Sequence, residues 1–534
     1  MCAIARKVEG AGHTPTSLHP GATRSGMSAR RAAKCQNPFV RPGAWRWLLA
    51  LALIAFPVCS QDAAAGKGLL PKFSTWLRRH GVDDGNVRLV DEDDRGWGRG
   101  IVARKALREG DLLFRIPLEW CLHSAAARRN RYLAKPLAQS SLPRGMQGEA
   151  IMVALLLMVE ACQTGDQSSM CKMRQSGASE WLPYIRVLPT NFSAPVFWST
   201  SEFQELRGSQ MEEMVASDLA DTRQEWSKIQ QMLISPNKDV FCAECFNFDT
   251  YRWAAWNVHS RALTLKGIKY LIPLADMVNY QPLPDDGAHN RNHQDLFLKY
   301  HRITVSPHDE GKGTAEIFAD RDFAAGSMIV ESYGDNPNNM YLRYFGFVPE
   351  SNPTDCRTLQ FSLQQVKESR ELKAAALQEA RMPAQVKHCF RLGEPVPLHI
   401  LRFLRVLHAK SHELGRSRNG NAELSARNER AVYKTIAAQC DALLRAFPTS
   451  LEDDQRWLDT VQGSGDSEGE RVTVNQKNAV VARLSEKRIL ARLRRLAKQK
   501  AKEIKAREKP AEGVPGGKGA KGAGDEVVFS HDEL

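Results

Sequence analysis

The chain has 534 residues, of which 43% are hydrophobic and 25% charged, and its formal net charge is +13. This composition indicates a globular protein of two or three domains, and it excludes a chain too short or too polar to bury a substantial core. The positive charge suggests an acidic partner. Much of it lies at the two ends of the chain, however, so it says little about the body between them.

The N-terminal region is predicted to direct the chain to a compartment. Residues 1–44 are basic, and an apolar run from Trp45 to Val58 follows them. The run is shorter than the roughly 20 residues that a helix needs to span a bilayer. Small residues follow at Ala63-Ala64-Ala65. This order predicts a signal peptide within a targeting region of residues 1–65. A plastid transit sequence or an uncleaved anchor is the alternative.

The C-terminus carries a second targeting signal. A basic, glycine-rich tail at 501–534 ends in His531-Asp532-Glu533-Leu534, a retention signal for the endoplasmic reticulum (ER). The two signals together predict the ER lumen as the location and the ER-retention receptor as a partner, with plastid or cytosol as alternatives. Asn191-Phe192-Ser193 is a glycosylation sequon that can be used only if the chain enters the ER.

The first half of the body alternates between strands and helices. Short strands begin near Asp84, and the glycines at 96, 98 and 100 allow tight turns and a close approach to a ligand. Residues 121–262 have mainly helical spacing. The polar stretch 285–313 predicts a loop. Four histidines in it have no metal-binding spacing and are interpreted as solvated surface: His289, His293, His301 and His308.

The second half is mainly helical in pattern up to Phe447. Residues 482–509 predict a basic amphipathic helix. We favour a helix that docks by one face over one that binds nucleic acid or a membrane, and nucleic acid is therefore an unlikely partner.

The eleven cysteines include one close pair, Cys242 and Cys245. A structural zinc site needs four ligands, usually as two such pairs, and no second pair follows. We therefore predict no metal, and either a local disulfide or two unlinked thiols.

Two short motifs suggest a functional site. The apolar run from Leu271 ends in Asp276-Met277-Val278-Asn279-Tyr280, which is typical of a buried segment that delivers polar atoms to a pocket wall. The second motif, 330–334, predicts a strand that turns sharply and leaves the phenol of Tyr333 at its end. Either motif alone is also compatible with an ordinary core.

With their flanks, these motifs resemble the SET-domain methyltransferases of the plant Rubisco large-subunit type, a group that includes the actin-histidine methyltransferase. Residues 96–103 and 112–117 are similar to the opening strands of that family, and 181–185 and 251–254 to its helical insert. The region 395–404 is similar to its C-terminal domain, and the resemblance covers roughly Asp84 to Thr460.

The resemblance implies an α+β fold. A β-rich SET core at 84–350, with a helical insert at about 121–262, precedes an all-α substrate-binding domain at 356–500. It also implies methyl transfer from S-adenosyl-L-methionine to a protein substrate that is bound through the C-terminal helical domain.

The resemblance further implies individual site residues. Tyr333 matches the catalytic tyrosine, and seven positions match cofactor contacts: Asp111, Leu113, Arg261, Asp276, Asn279, Tyr280 and Phe345. Three of them depart from the family pattern. Tyr280 replaces a histidine, Phe345 replaces tyrosine or serine, and Asp111 is one methylene shorter than glutamate.

Two further positions bear on the methyl acceptor. Leu263 and Ala275 stand where the histidine-methylating branch carries asparagine and tryptophan. Leucine and alanine cannot fix an imidazole ring, but they suit the alkyl chain of lysine, whose deprotonation an apolar channel favours. The sequence thus predicts a protein-lysine methyltransferase. The alternative is a catalytically silent SET protein that acts as a binding module in the secretory pathway.

Overall fold

The computed structural model describes residues 68–91, 99–282, 298–366, 368–414, 421–463 and 472–507. The predicted signal peptide, Gly96, Gly98, His289, His293 and the C-terminal retention signal lie outside the described residues. The chain divides into two compact units. The first contains the described residues up to Asn191 and Thr222–Gly334, and the second contains Phe192–Asp221 and the described residues from Asp335 onward.

The first unit contains three small sheets. Their strand orders are β1-β2-β10-β7, β3-β9-β8 and β4-β6-β5. The ten strands of this unit are β1 Val87–Val90, β2 Gly100–Ala103, β3 Leu112–Pro117, β4 Leu122–His123, β5 Leu263–Leu265, β6 Ile268–Leu271, β7 Asn279–Tyr280, β8 His301–Ser306, β9 Asp309–Phe318 and β10 Met328–Glu331. Most neighbours pair antiparallel, but β10 and β7 pair parallel. The prediction of a loop over 285–313 is wrong from His301 onward, because β8 and the start of β9 form an antiparallel pair there.

Helices separate these strands, as the sequence predicts. Those within the first unit are Leu69–Arg79, Ser124–Arg129, Ala134–Gln139, Gly145–Cys162, Lys172–Gln175, Leu182–Ile185 and Phe248–Arg261. Helix Gly145–Cys162 is the one helix of the described residues that is long and apolar enough to cross a membrane. It is apolar all round because it lies in the core, where two thirds of it is buried.

Helix Phe248–Arg261 positions the most important site residue of this unit. The side chain of Asn247 caps its N-terminus by accepting a hydrogen bond from the Thr250 backbone N–H at 3.0 Å. The backbone becomes extended at Ala262, and β5 follows at once. Arg261 is therefore the last residue of a helix that is fixed at both ends.

The second unit is mainly helical and also contains the two-stranded sheet β11 Cys356–Ser362 and β12 Gln385–Arg391. Its helices are Thr200–Gln204, Asn338–Met340, Arg370–Glu379, Leu398–His408, Ser411–Leu414, Ala426–Ala446, Leu451–Gly463 and Val474–Arg507. Helix Gln210–Ile229 begins in this unit and continues into the first one past Asp221.

The basic C-terminal helix docks by its apolar face. It begins earlier than predicted, at Val474, and it buries Leu484, Ile489, Leu490 and Leu493. Asp454, itself buried, accepts a hydrogen bond from Lys487 at 2.6 Å, so one of the helix's many cations is neutralised inside the unit. The docking interpretation therefore fits this helix.

The predicted α+β class is confirmed, since the chain combines a strand-rich unit carrying helices with a mainly helical C-terminal unit. The prediction that residues 356–500 are all-α is wrong in detail, because β11 and β12 lie within them. The compact units differ from the predicted boundaries in two respects. Residues 192–221, which fall within the predicted helical insert, cluster with the C-terminal unit, as do the residues from Asp335 onward.

Candidate functional site

The two sequence motifs meet through the parallel pair β7 and β10. The register places Val330 beside Asn279 and Glu331 beside Tyr280. Two residues beyond β10, the Tyr333 hydroxyl donates a hydrogen bond to the Val278 carbonyl oxygen at 2.8 Å. The rings of Tyr280 and Tyr333 lie 5.3 Å apart between centroids. The phenol that the sequence singles out thus lies against the end of the Asp276–Tyr280 segment.

The electrostatic surroundings of Tyr333 keep its hydroxyl protonated. Burial raises the pKa of the Tyr333 phenol, and the nearby Glu331 carboxylate raises it further. Glu331 Oε2 lies 2.9 Å from His301 Nε2, and both side chains are largely buried. The interpretation of His301 as solvated surface is therefore wrong. At neutral pH Tyr333 therefore offers a hydroxyl group rather than a phenolate.

Arg261 and Asp276 form the second part of the site. Arg261 Nη1 donates to the backbone carbonyl oxygen of Asp276 at 2.6 Å and lies 3.5 Å from Asp276 Oδ2. The Tyr184 hydroxyl donates to the same Oδ2 at 3.1 Å. Burial raises the pKa of Asp276, whose side chain is 1% exposed, while Arg261 acts in the opposite direction. The carboxylate is thus held by one cation and one phenol.

One donor and one acceptor of this pair remain unused. Arg261 Nε and Asp276 Oδ1 are buried and have no hydrogen-bond partner within the described part of the chain. Such buried atoms are costly and uncommon unless something fills the site. A guanidinium donor beside a carboxylate acceptor fits a zwitterionic amino-acid group, because its carboxylate pairs with arginine and its ammonium with aspartate.

Asn279 connects this site to the segment that contains Arg99 and Gly100. Its Nδ2 donates to the Arg99 carbonyl oxygen at 3.2 Å. A Cβ atom on Gly100 would lie 2.9 Å from Asn279 Nδ2 and 2.6 Å from Met328 Sδ. Side chains of β7 and β10 therefore lie close to Gly100, and the predicted approach of this segment to a ligand stays a prediction.

The two residues predicted to line the acceptor channel, Leu263 and Ala275, are both buried. Ala275 begins a single helical turn, Ala275–Met277, and is 5% exposed, whereas Leu263 begins β5 and is 8% exposed. The residue before the turn, Leu274, has a φ of 74°, a conformation that costs a residue other than glycine about 1–3 kcal/mol. Backbone strain of this kind concentrates at functional sites. The channel role of both residues stays a prediction.

Three of the predicted cofactor residues belong to other elements of the chain. Asp111 lies in an exposed turn, where Oδ2 accepts a hydrogen bond from the Arg108 backbone N–H at 2.8 Å. Leu113 is buried in β3, on a different sheet from β7 and β10. Phe345 belongs to the second unit, where its ring lies 6.2 Å from that of Tyr341. Their role as cofactor contacts stays a prediction.

Sequence reasoning missed Tyr184 as a site residue. It belongs to the quoted segment 181–185, but its partner Asp276 is 92 positions away. No spacing rule connects residues so distant. The apolar flanks of Tyr184, which predict a core position, were the only signal available.

Four cysteines from distant positions in the chain come together in the first unit. Cys162 bonds to Cys245 and Cys171 to Cys242, and a third disulfide joins Cys356 to Cys389. The first four sulfurs lie within 4.8 Å of one another. The expected alternatives, a local disulfide between Cys242 and Cys245 or two unlinked thiols, are therefore wrong. The premise that Cys242 and Cys245 lack a second pair also fails, because Cys162 and Cys171 supply it.

The fold is similar to that of solved SET-domain proteins, and part of the C-terminal unit matches a family model. Residues 365–490 match the family described as Rubisco LSMT substrate-binding. The structure of Rubisco LSMT bound to AdoMet superposes with a TM-score of 0.66 at 19% identity, over 82% of this chain and 93% of that one. The SET domain of LSMT bound to lysine and AdoHcy gives the same TM-score.

The chain is also similar in sequence to curated protein methyltransferases. It is 24% identical over 442 residues to the actin-histidine N-methyltransferase of Gallus gallus, covering 79% of this chain and 67% of that protein. It is also 24% identical over 447 residues to the chloroplastic [fructose-bisphosphate aldolase]-lysine N-methyltransferase of Arabidopsis thaliana, covering 81% and 83%. The predicted resemblance is confirmed, and the homologues are protein methyltransferases that act on histidine or on lysine.

Proposed function

We propose that this protein is an S-adenosylmethionine-dependent protein methyltransferase. The observation that carries the proposal is the site on the first unit, where Arg261 and Asp276 keep a buried donor and acceptor unused close to the Tyr333 segment. Those two atoms suit the amino-acid end of S-adenosylmethionine. Similar solved structures of Rubisco LSMT are bound to AdoMet or AdoHcy, which supports the same cofactor.

The residues would act mainly by positioning. Bound S-adenosylmethionine supplies a methyl group on a cationic sulfonium. Arg261 and Asp276 would hold the carboxylate and the ammonium of the cofactor. The protonated hydroxyl of Tyr333 would orient the acceptor nitrogen, and alignment of the two reactants is the largest contribution that such a site makes. None of these roles requires a metal ion or a covalent enzyme intermediate.

We further propose lysine as the acceptor. Leu263 and Ala275 are buried and apolar, which suits the alkyl chain of lysine and offers nothing to fix an imidazole ring. A neutral amine is needed for the transfer, and desolvation in an apolar channel lowers the pKa of a lysine toward neutrality. The aldolase-lysine relative supports this choice, whereas the actin-histidine relatives favour the other acceptor.

Isotopic transfer tests the activity and the acceptor together. Methyl-labelled S-adenosylmethionine is incubated with the protein and a lysate of the source cell, and labelled bands are identified by mass spectrometry. Label in methyl-lysine is expected on amino-acid analysis. Label confined to methyl-histidine overturns the choice of acceptor. Absence of both transfer and thermal stabilisation by S-adenosylmethionine would instead favour a silent binding protein.

The substrate protein would be bound by the C-terminal unit. This proposal rests on the match of residues 365–490 to a substrate-binding family. Substitutions of exposed residues in this unit test the proposal. They should raise KM for the protein substrate without changing the affinity for S-adenosylmethionine.

We propose the ER lumen as the compartment. Disulfides persist in oxidising compartments and are rare in the cytosol, and the described part of the chain holds three of them. Asn191 of the sequon is exposed, so an oligosaccharide would meet no steric barrier there.

Glycosylation and retention test the compartment. Endoglycosidase treatment should increase gel mobility, and Asn191→Gln should abolish that shift. Deleting residues 531–534 should release the protein to the medium through loss of the ER-retention receptor. A tagged full-length chain found in the cytosol or the plastid would contradict the proposal.

A further inference from the structure

The outer side of β11, in the two-stranded sheet of the second unit, is covered. The Thr358 backbone N–H donates to the side-chain oxygen of Gln210 at 3.3 Å, and the Gln360 carbonyl oxygen accepts from the side chain of Gln439 at 2.8 Å. In an antiparallel strand the N–H and C=O of one residue point to the same side. Thr358 and Gln360 therefore direct their backbone groups away from β12, toward side chains of two helices.

The register shows which backbone groups of β12 point away from β11. Thr358 lies opposite Cys389, and Gln360 lies opposite Lys387, in a ladder without a bulge. Because Thr358 and Gln360 use their backbone groups on the outer side, these are the pairs that exchange no backbone hydrogen bonds. Lys387 and Cys389 consequently direct their N–H and C=O groups to the other side of β12, and Gln385 does the same.

This other side of β12 is a free edge. The outward backbone groups of Gln385, Lys387 and Cys389 make no hydrogen bond within the described part of the chain. At the end of the strand, the Arg391 N–H donates to the Glu394 side chain at 2.9 Å. The strand is seven residues long and is fixed to β11 by the disulfide between Cys389 and Cys356. A regular, rigid edge of this kind is a template for a further strand.

The side chains along the edge are basic. Lys387 and Arg391 are exposed on the same face of β12, and neither forms an ion pair with a described residue. Antiparallel pairing of two copies of β12 about Cys389 would place Lys387 opposite Arg391, and like charges in that position are destabilising. A strand with carboxylates at alternate positions would instead form opposite-charge pairs. The edge therefore disfavours a second copy of this chain and favours an acidic strand.

A cavity of about 300 Å³ borders the start of the edge. Its lining includes Gln385, Val386 and Lys387 of β12 together with His399 and Arg402 of helix Leu398–His408. No residue of β11 lines it, so the cavity lies on the free side of β12. Side chains of an added strand alternate between the two faces of the sheet, and those on the face of the helix would enter this space.

We propose that the free edge of β12 binds an extended acidic segment of the protein substrate as a third strand. This inference rests on the proposed role of the C-terminal unit in substrate binding. The outward groups of Gln385, Lys387 and Cys389 would form the main-chain hydrogen bonds. Carboxylates of the segment would lie beside Lys387 and Arg391. Donors and acceptors that alternate at strand spacing match another polypeptide backbone.

Three fluorescent octapeptides test the edge on the purified full-length protein. The first alternates glutamate and valine, the second alternates lysine and valine, and the third has four glutamates followed by four valines. We expect the first to bind at least about fivefold more tightly than either of the others in fluorescence anisotropy, because it alone places carboxylates at alternate positions. Equal or stronger binding of the second or third peptide would overturn the proposal, as would no binding of the first.

Substitutions at Lys387 separate charge from main-chain pairing. Lys387→Gln removes the charge and should weaken the alternating acidic peptide about threefold. Lys387→Pro also removes the outward N–H, which the ladder with β11 does not use, and should weaken binding about fivefold further. Lys387→Glu should weaken it about tenfold. The matched control is Lys434→Glu, an exposed lysine of helix Ala426–Ala446, which should bind like the wild type. Equal binding in Lys387→Glu and Lys434→Glu would overturn the proposal.

Hydrogen exchange gives a second measurement if Lys387→Pro does not fold. In the wild-type protein, the alternating acidic peptide should slow exchange of the Lys387 and Cys389 amides, which are outward, and leave the His388 amide, which bonds to β11, nearly unchanged. Unchanged exchange at Lys387 and Cys389 with the peptide bound would place the peptide elsewhere and overturn the proposal.

Transfer kinetics distinguish this inference from the proposed function. With a substrate protein identified by isotopic labelling, Lys387→Glu should raise KM about tenfold without changing kcat or the affinity for S-adenosylmethionine. An unchanged KM in an active enzyme would overturn the inference and leave the methyltransferase proposal intact. If no substrate is methylated, the methyltransferase proposal fails, and the peptide measurements still decide whether the edge binds an acidic strand.

Discussion

Arg261 donates a hydrogen bond to the backbone carbonyl oxygen of Asp276 at 2.6 Å, although the two residues are 15 positions apart in the chain. The contact fixes the end of helix Phe248–Arg261 against the turn Ala275–Met277. It also leaves Arg261 Nε and Asp276 Oδ1 without partners within the described residues. The proposed cofactor-binding function depends on these two unused atoms.

Removing the guanidinium should weaken cofactor binding. In Arg261→Ala we expect the affinity for S-adenosylmethionine to fall by about 10- to 100-fold, because a hydrogen bond between charged groups contributes about 1.5–3 kcal/mol. Isothermal titration measures the change. Arg88→Ala, an exposed arginine in β1, is the matched control and should bind normally. Equal affinity in both variants would remove Arg261 from the cofactor site.

Removing the hydroxyl of Tyr333 should affect transfer far more than binding. In Tyr333→Phe the Val278 carbonyl oxygen loses its donor, which costs about 0.5–1.5 kcal/mol of stability. We expect kcat to fall by about 100-fold or more, because the group that orients the acceptor nitrogen is gone. Single-turnover transfer and cofactor titration separate the two effects. Full activity in Tyr333→Phe, with Tyr132→Phe as the control, would contradict the catalytic assignment.

The eight cysteines of the described residues should divide into two chemical groups. Cys162, Cys171, Cys242, Cys245, Cys356 and Cys389 are bonded, whereas Cys121 and Cys440 are free and buried. Burial raises the pKa of Cys440 to about 12, so its thiolate is scarce at neutral pH. We expect neither free thiol to react with iodoacetamide in the native protein and both to react after denaturation without reductant. Peptide mass spectrometry measures this.

The same experiment distinguishes disulfides from a metal site. Four sulfurs within 4.8 Å could also hold a zinc ion if they were reduced. In that case denaturation without reductant would release zinc and expose four more reactive thiols. With the disulfides intact, reductant should lower Tm, because each removed disulfide costs about 2–4 kcal/mol.

His123 should make stability fall at acid pH. Its pKa in the folded protein, about 4, lies below the ordinary value of 6.5. Between pH 6.5 and 4 the unfolded chain therefore takes up a proton that the folded protein does not. The stabilisation is complete above pH 6.5 and is lost as pH falls toward 4, by ~3 kcal/mol in total.

Urea denaturation at pH 7.5 and 5 measures this loss. His123→Gln should be less stable at pH 7.5 but should show a smaller decrease on acidification. His308→Gln should behave like the wild type. An unchanged pH dependence in His123→Gln would show that His123 does not titrate in this range.

The sequence by itself determined the order of elements and the residue types of the site. The apolar run ending in Asp276 and Asn279, and the strand ending at Tyr333, follow from local patterning. The alternation of hydrophobic and polar residues and the turn residues are patterns of a few neighbouring positions. They therefore predict an element before the tertiary structure is known. The basic helix was predicted for the same reason, since its apolar face repeats along the segment 482–509.

Only the tertiary structure decided which residues meet. Tyr184 and Asp276, Cys162 and Cys245, and Arg261 and Asp276 are joined by the packing of separate elements, and no local pattern encodes their separation. The four-cysteine cluster and the burial of His123 Nε2 also result from the packing of separate elements. A hydrogen bond, a disulfide or an unsatisfied atom depends on distances of a few ångströms, and these exist only after helices and strands from distant parts of the chain have packed together.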